Sequence, residues 1–309
     1  MKLLKLRKKV LVKLKTAVVI LSFGILFSCE KEEGFVQETT ATNNLTKQEQ
    51  IDVAKLGYVP EETFKIKLDL PDGSTDEYYS YRDMLTLTSD LQNMVKFADP
   101  SLDTEQREKL FRTNNTVGGN RSYTVAFVDF NTPFQQQAAQ DMIFLFNTQL
   151  RTTIQLNHVF ISSSEIASTP RDIMVFYNRI FVPTGLGTFV PDPNVFAGAS
   201  FPSNFLPGGV LQLNTDAISS ISTRETLRQV LMHEILHNFG IQHSDWRTQR
   251  SCGENEAENN PFGFVPIPGT NTSGDFLDSI MVACVGSTLG GRGYTGEDVA
   301  SMREIYGFR

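Results

Sequence analysis

The chain is poor in the residues that build disulfide frameworks, membrane spans and nucleic-acid surfaces. Its 309 residues include only four histidines, three cysteines and one tryptophan. Three cysteines cannot staple a fold together, so stability must come from a hydrophobic core, for which 40% hydrophobic against 20% charged residues is ample. The apolar stretch from Thr16 to Phe27 falls well short of the roughly 20 residues an ordinary membrane-spanning helix needs. Basic residues are scarce beyond the N-terminus. Seven of the 28 Lys and Arg precede residue 16, and the chain after residue 28 carries 21 basic against 35 acidic residues, a charge of −14. An acidic chain with no Lys/Arg run excludes nucleic acid and anionic membrane surfaces as natural partners. No internal repeat or low-complexity tract is present.

The N-terminus has the layout of a processing signal, a basic stretch followed by a short apolar one, and residues 1–28 are set aside as a signal peptide. The apolar stretch ends in LFSC at Cys29. That ending resembles a bacterial lipobox, which implies an acylated Cys29 inserted in a lipid bilayer; an ordinary secretory peptide with an incidental cysteine is the other reading. Glu30, Lys31, Glu32 and Glu33 resemble the acidic export tag of lipoproteins in the Bacteroidetes group. The implied location is the outer membrane, lipid-anchored and surface-exposed. Residues 29–47 are polar and read as a flexible tether. Cys252 and Cys284 then remain; in an exported chain they are expected to form one disulfide, against the alternative of two buried thiols.

Residues 48–117 read as an N-terminal subdomain or propeptide, with a short helix from Gln48 to Leu56. FKIKLDL and DEYYSYRDML form a hairpin across Asp72-Gly73, and a helix is possible near Thr104–Phe111. Residues 118–309 are regular. Strands are expected over Ser122–Phe130, Ile154–Ile161 and Asp172–Tyr177, with a helix after Pro133 and a loop over Phe181–Asn194. NVFAGASFP and GGVLQLN are two further extended segments. A long helix follows from about Thr223 to Phe239, started by a capping box of Ser222 and Glu225. The pattern is α+β, a twisted mixed sheet with helices packed on it.

The chemistry is concentrated in HEILHNFGIQHSDW, from His233 to Trp246. On a helix His233 and His237 lie one turn apart on the same face. Gly240, lacking Cβ, permits the turn that ends the helix and brings back His243. Three neutral imidazoles leave one coordination position open, as a catalytic zinc requires. Glu234 is adjacent to a ligand without being one, the position of a general base. By residue frequency such a match arises by chance roughly a few times in a million chains, so the motif outweighs the reading of satisfied core histidines. His158, the fourth histidine, is expected to be packing or surface.

The segment H-E-x-x-H-x-x-G-x-x-H resembles the metzincin clan, and most closely the bacterial dual-action HEIGH metallopeptidases. Leu236 stands where that family has glycine, and Ser244 where it has threonine; Gly240, His243, Asp245 and Trp246 are kept. The resemblance implies a zincin catalytic domain with a long active-site helix, a methionine turn and a C-terminal helix. It places Met281 of Ser279-Ile280-Met281 in the turn beneath Zn2+, Asp245 behind His243 as an orienting acceptor, and AGASFP as an exposed edge strand that binds extended peptide. YTGEDVASMREIYG, with a Thr295/Asp298 capping box, is the structural C-terminal helix. The turn lacks its usual following tyrosine, which leaves Tyr294 as a substitute. The implied function is zinc-dependent endopeptidase action on extended peptide or protein substrates. A metal-retaining surface binding protein and a non-peptide amide hydrolase are the alternatives.

Overall fold

In the computed structural model, residues 41–42, 44–96, 110–183, 189–246, 249–253, 264–270, 278–284 and 290–309 are described. The signal segment 1–28, Cys29, most of the tether and residues 104–109 of the expected helix lie outside them. Among the described residues no helix is long and apolar enough to cross a membrane.

Local signals set the first elements. Helix α1 (Lys47–Lys55) starts at a capping box in which Thr46 and Glu49 satisfy each other's backbone N–H. Strand β1 (Ala41–Thr42) pairs with β2 (Phe64–Asp69), which pairs antiparallel with β3 (Thr75–Tyr81) across the expected turn. DEYYSYRDML, expected as one strand, is broken. Arg82 takes a left-handed φ of 58°, and the chain reverses into β4 (Met84–Leu87) with Tyr81 opposite Met84. After a helical turn at Leu91–Val95, β5 (Phe111–Thr113) occupies the end of the segment expected to be helical.

Strand β6 (Ser122–Val128) leads into α2 (Pro133–Leu145), capped by Thr132 with Pro133 at its first position, where no N–H is needed. Strands β7 (Gln155–Ile161) and β8 (Ile173–Asn178) follow as expected. The expected loop after Phe181 contains a small hairpin, β9 (Phe181–Pro183) with β10 (Phe189–Pro191). Then come β11 (Ala197–Ser200), β12 (Val210–Asn214), the long helix α3 (Arg224–Asn238), β13 (Phe264–Pro266) paired with β5, and α4 (Gly296–Tyr306). The cap of α3 lies one residue later than expected: Thr223 accepts from the Thr226 N–H.

Nine strands form the main sheet in the order β1-β2-β3-β4-β11-β12-β8-β6-β7. Pairing is antiparallel from β1 to β4 and between β11 and β12, and parallel elsewhere. The period of two along each central strand splits two cores. Val125, Phe127, Val175, Leu211 and Leu213 face α2 and α3, with Met142, Leu231 and Ile235. Ala126, Val128, Met174, Phe176 and Val210 share the second core with Phe64, Ile66 and Leu68 of β2. Each Val, Leu, Ile, Phe or Met among them stabilises by about 1.5–3 kcal/mol on burial, so the second core binds β2 to the sheet. A third cluster joins Tyr58, Tyr79, Tyr81 and Met84 to Phe111, Phe201, Trp246 and Phe264.

Candidate metal centre

Helix α3 is buried from Gln229 to Asn238, so its histidines are held by the core rather than displayed on a surface. It ends in a Schellman arrangement: the Gly240 N–H donates to the His237 carbonyl at 2.8 Å and the Ile241 N–H to the Leu236 carbonyl at 3.0 Å. Gly240 has φ +87°, and a Cβ there would stand 2.8 Å from Thr113 Oγ1 and 3.2 Å from the Asn115 carbonyl. Both the turn and the space require glycine. Leu236, the departure from the glycine of the HEIGH pattern, is fully buried in the core of α2 and α3.

The turn brings three rings together. His233 Nδ1 donates to the Ile280 carbonyl and His237 Nδ1 to the Ile241 carbonyl, each at 2.7 Å. With the proton on Nδ1, both Nε2 atoms present lone pairs. The three Nε2 atoms of His233, His237 and His243 lie 3.2, 3.2 and 3.3 Å apart. Three imidazole nitrogens this close need a cation between them, a proton or a metal ion. A tetrahedral zinc with bonds of about 2.0–2.1 Å would set such edges at about 3.3–3.4 Å, so the donor set fits the ion.

Sequence reasoning missed a fourth member. Asp83 Oδ2 lies 3.0 Å from His243 Nε2, 3.5 Å from His233 Nε2 and 4.0 Å from His237 Nε2. Asp83 with the three histidines is the cluster of metal-ligating groups among the described residues. Burial would raise the Asp83 carboxyl, but the surrounding imidazoles outweigh it and hold it well below the usual range. Burial would likewise lower His233, yet the Asp83 carboxylate and the charge on Glu234 push it up to about 9. His237 goes the other way, driven well down by burial and by the two neighbouring imidazoles.

Glu234 is buried beside the cluster, and its Oε2 has no partner among the described residues. Burial raises its carboxyl well above the ordinary carboxylate range. It faces a cavity of about 900 Å³ lined also by Asp83, Val230, His233, Ala197 and Ala283. Another cavity of about 600 Å³, beside Tyr78 and Val210, contains none of the histidines.

Met281 is fully buried, and its carbonyl accepts from the Ser244 N–H at 2.6 Å. The turn is gripped from the C-terminal helix. Asp298, at the third position of α4, accepts from the Thr295 N–H at 2.8 Å, from the Ser279 hydroxyl at 2.5 Å and from the Ile280 N–H at 3.3 Å. The capping box was legible in sequence; its second task, fixing the turn whose Ile280 carbonyl orients His233, was not. Asp245 corrects another expectation. Its carboxylate accepts from the Ser251 and Ala283 N–H groups, each at 2.8 Å, so it fastens two loop ends rather than the His243 ring. The Cys252–Cys284 disulfide, with Cα atoms 5.0 Å apart, closes the same junction. Trp246 packs against Phe111 and Phe264. His158 is exposed on β7, and Tyr294 sits in the main core rather than along the cavity. The β11 edge, expected to be free, is covered by β4.

The family model for the dual-action HEIGH metallo-peptidases matches residues 82–306. Among solved structures, one of myroilysin aligns at 13% identity and a TM-score of 0.36, covering 64% of this chain and 98% of that one. A second myroilysin structure aligns at 14% identity and a TM-score of 0.33, covering 62% and 85%. No curated protein matches the chain. The cluster of three histidines and Asp83 can hold zinc, Glu234 is buried beside it, and the family model spans most of the sequence. The chain belongs to the dual-action HEIGH metallo-peptidase family and is a zinc-dependent endopeptidase.

Proposed function

We propose that His233, His237 and His243 hold the zinc, that Glu234 is the general base, and that the substrate is an extended peptide segment. The observation that carries this is three Nε2 atoms converging at 3.2–3.3 Å beside a buried carboxylate oxygen with no partner among the described residues. When bound, zinc supplies a Lewis acid for the scissile carbonyl and makes a water acidic near neutral pH. Glu234 Oε2 takes the proton of the attacking water and returns it to the departing amine nitrogen. The Ile280 and Ile241 carbonyls keep the proton of the first two imidazoles on Nδ1, so no tautomer change competes with metal binding.

Glu234→Ala should keep about one zinc per chain and lose hydrolysis of casein by about 10²–10⁴-fold, compared under conditions where the wild type is active and chelator-sensitive. Equal turnover by mutant and wild type would remove Glu234 from the mechanism.

We further propose that the enzyme acts at the outer surface of the cell, tethered through acylated Cys29. The support is the LFSC sequence and the acidic residues after it. Cys29→Ser should abolish incorporation of labelled palmitate and move the protein to the aqueous fraction. Equal labelling of the mutant would rule the anchor out.

A further inference from the structure

One buried residue of α3 beside the catalytic cavity is polar and takes no part in holding zinc or moving a proton. Gln229 stands one turn before His233, on the same face of the helix, and is 1% exposed. With Val230, His233, Glu234 and Ala283 it lines the cavity of about 900 Å³. Burying an amide costs free energy unless it is hydrogen-bonded, and an apolar side chain would fill the same place without that cost. What Gln229 binds therefore shows why the position is polar.

Gln229 Oε1 accepts from three consecutive backbone N–H groups, those of Gly290 at 3.3 Å, Gly291 at 2.9 Å and Arg292 at 3.0 Å. Successive N–H groups converge in this way where a left-handed residue turns the chain, and Gly291 has φ +76°. A concavity of this kind suits an anion; here a side-chain oxygen of the active-site helix occupies it. The turn itself is at the surface, with Gly290 and Arg292 exposed, and belongs to no helix or strand. Two further contacts press it onto α3. Arg228 Nη2 donates to the Gly291 carbonyl at 2.5 Å, and a Cβ at Gly291 would collide with the Cβ of Glu225.

The place of this turn in the chain gives it a consequence for the site. Beyond Met281 the chain lines the cavity at Ala283 and Cys284, and Cys284 is held by its bridge to Cys252 and by its N–H donating to Ser251 Oγ at 2.9 Å. It is fixed again at Gly290–Arg292, before Tyr294 enters the main core. We propose that Gln229 is a positioning residue for substrate selection. Its amide oxygen sets how closely the chain leaving the methionine turn lies against α3, and so the shape of the cavity beside Glu234. Zinc binding and proton transfer do not depend on it. The proposal rests on the zinc-peptidase reading and names a control of its selectivity.

The experiment compares the full zinc-loaded chain with Gln229→Leu, which offers no acceptor, and Gln229→Glu, which keeps one. Hydrogen exchange read by mass spectrometry should show the amides of residues 290–292 exchanging at least about tenfold faster in Gln229→Leu. In Gln229→Glu they should exchange as in wild type, and the amides of α3 should be unchanged in both. Hydrolysis is then measured where the wild type is active and chelator-sensitive, on peptides differing in one residue beside the scissile bond. Gln229→Leu should raise KM for the best wild-type substrate at least about tenfold and alter the ranking of the series, with kcat within about threefold. Gln229→Glu should restore both. Gly291→Ala, which displaces the same turn from its other side, should reproduce the rise in KM and carries the test if Gln229→Leu does not fold. A contact that only stabilised the fold would lower the melting temperature and leave KM and ranking at wild-type values. That result, or unchanged exchange at 290–292, would overturn the proposal. A wild type that binds zinc yet cleaves no peptide or casein would instead overturn the peptidase reading, and selection by Gln229 would fall with it.

Discussion

Replacing Asp298 by alanine tests whether a helix cap at the C-terminus governs a metal centre built elsewhere. Asp298 is 2% exposed and receives the Ser279 hydroxyl, the Ile280 N–H and the Thr295 N–H. Loss of the reciprocal half of the α4 capping box leaves the Thr295 N–H without its acceptor, at about 1 kcal/mol. The Ser279 hydroxyl and Ile280 N–H are left buried without an acceptor, at about 1–2 kcal/mol each. Together the substitution should destabilise the chain by about 3–5 kcal/mol. The turn then has nothing to hold Ile280, whose carbonyl accepts from His233 Nδ1 at 2.7 Å. Removing groups that orient a ligand in this way weakens metal binding by about 10–100-fold. Urea denaturation in chelator measures the first effect, and competition for zinc with a chromophoric chelator the second. Asp298→Asn, which keeps one acceptor oxygen, should fall between. If Asp298→Ala kept its zinc affinity within about twofold of wild type, the chain of contacts from α4 to His233 would carry no energy and the reasoning would be refuted.

Two further outcomes are expected. Cys252→Ser/Cys284→Ser opens a loop of sequence separation 32, so it should lower stability by about 3–4 kcal/mol, retain zinc, and be cut faster by added protease between residues 253 and 283. Two alkyl groups added to the wild type before reduction would show that no bridge exists. Glu49 has its pKa lowered to about 2: burial would raise it, but Lys65, the Thr46 N–H and the Tyr79 hydroxyl prevail. A depressed carboxyl contributes stability above its unfolded pKa of about 4.3 and loses it as pH falls through about 2. The melting temperature of wild type should therefore drop towards that of Glu49→Gln across this window; parallel curves would contradict the assignment.

What the sequence alone determined is what short-range rules govern. His233, Glu234, His237, Gly240 and His243 were legible because helix spacing and a left-handed glycine are local properties. The α4 cap was legible for the same reason, and the disulfide because only two cysteines remained after Cys29. The family glycine at Leu236 proved dispensable to the reading, since that position faces the hydrophobic core rather than the metal. Tertiary structure decided everything that depends on which distant strands pair. Asp83 precedes His233 by 150 residues, and only the parallel pairing of β4 with β11 carries it to the histidines. No periodicity in YSYRDML marks the break at Arg82, because a strained turn held by remote packing leaves no local signature. Asp245 and Asp298 belong to the same class. Each is a carboxylate whose partners, Ala283 for one and Ile280 for the other, are brought to it by folding. Hydrogen-bond acceptors are spent wherever the nearest buried donors lie, and that distance is a property of the assembled core rather than of the residue's neighbours in the chain.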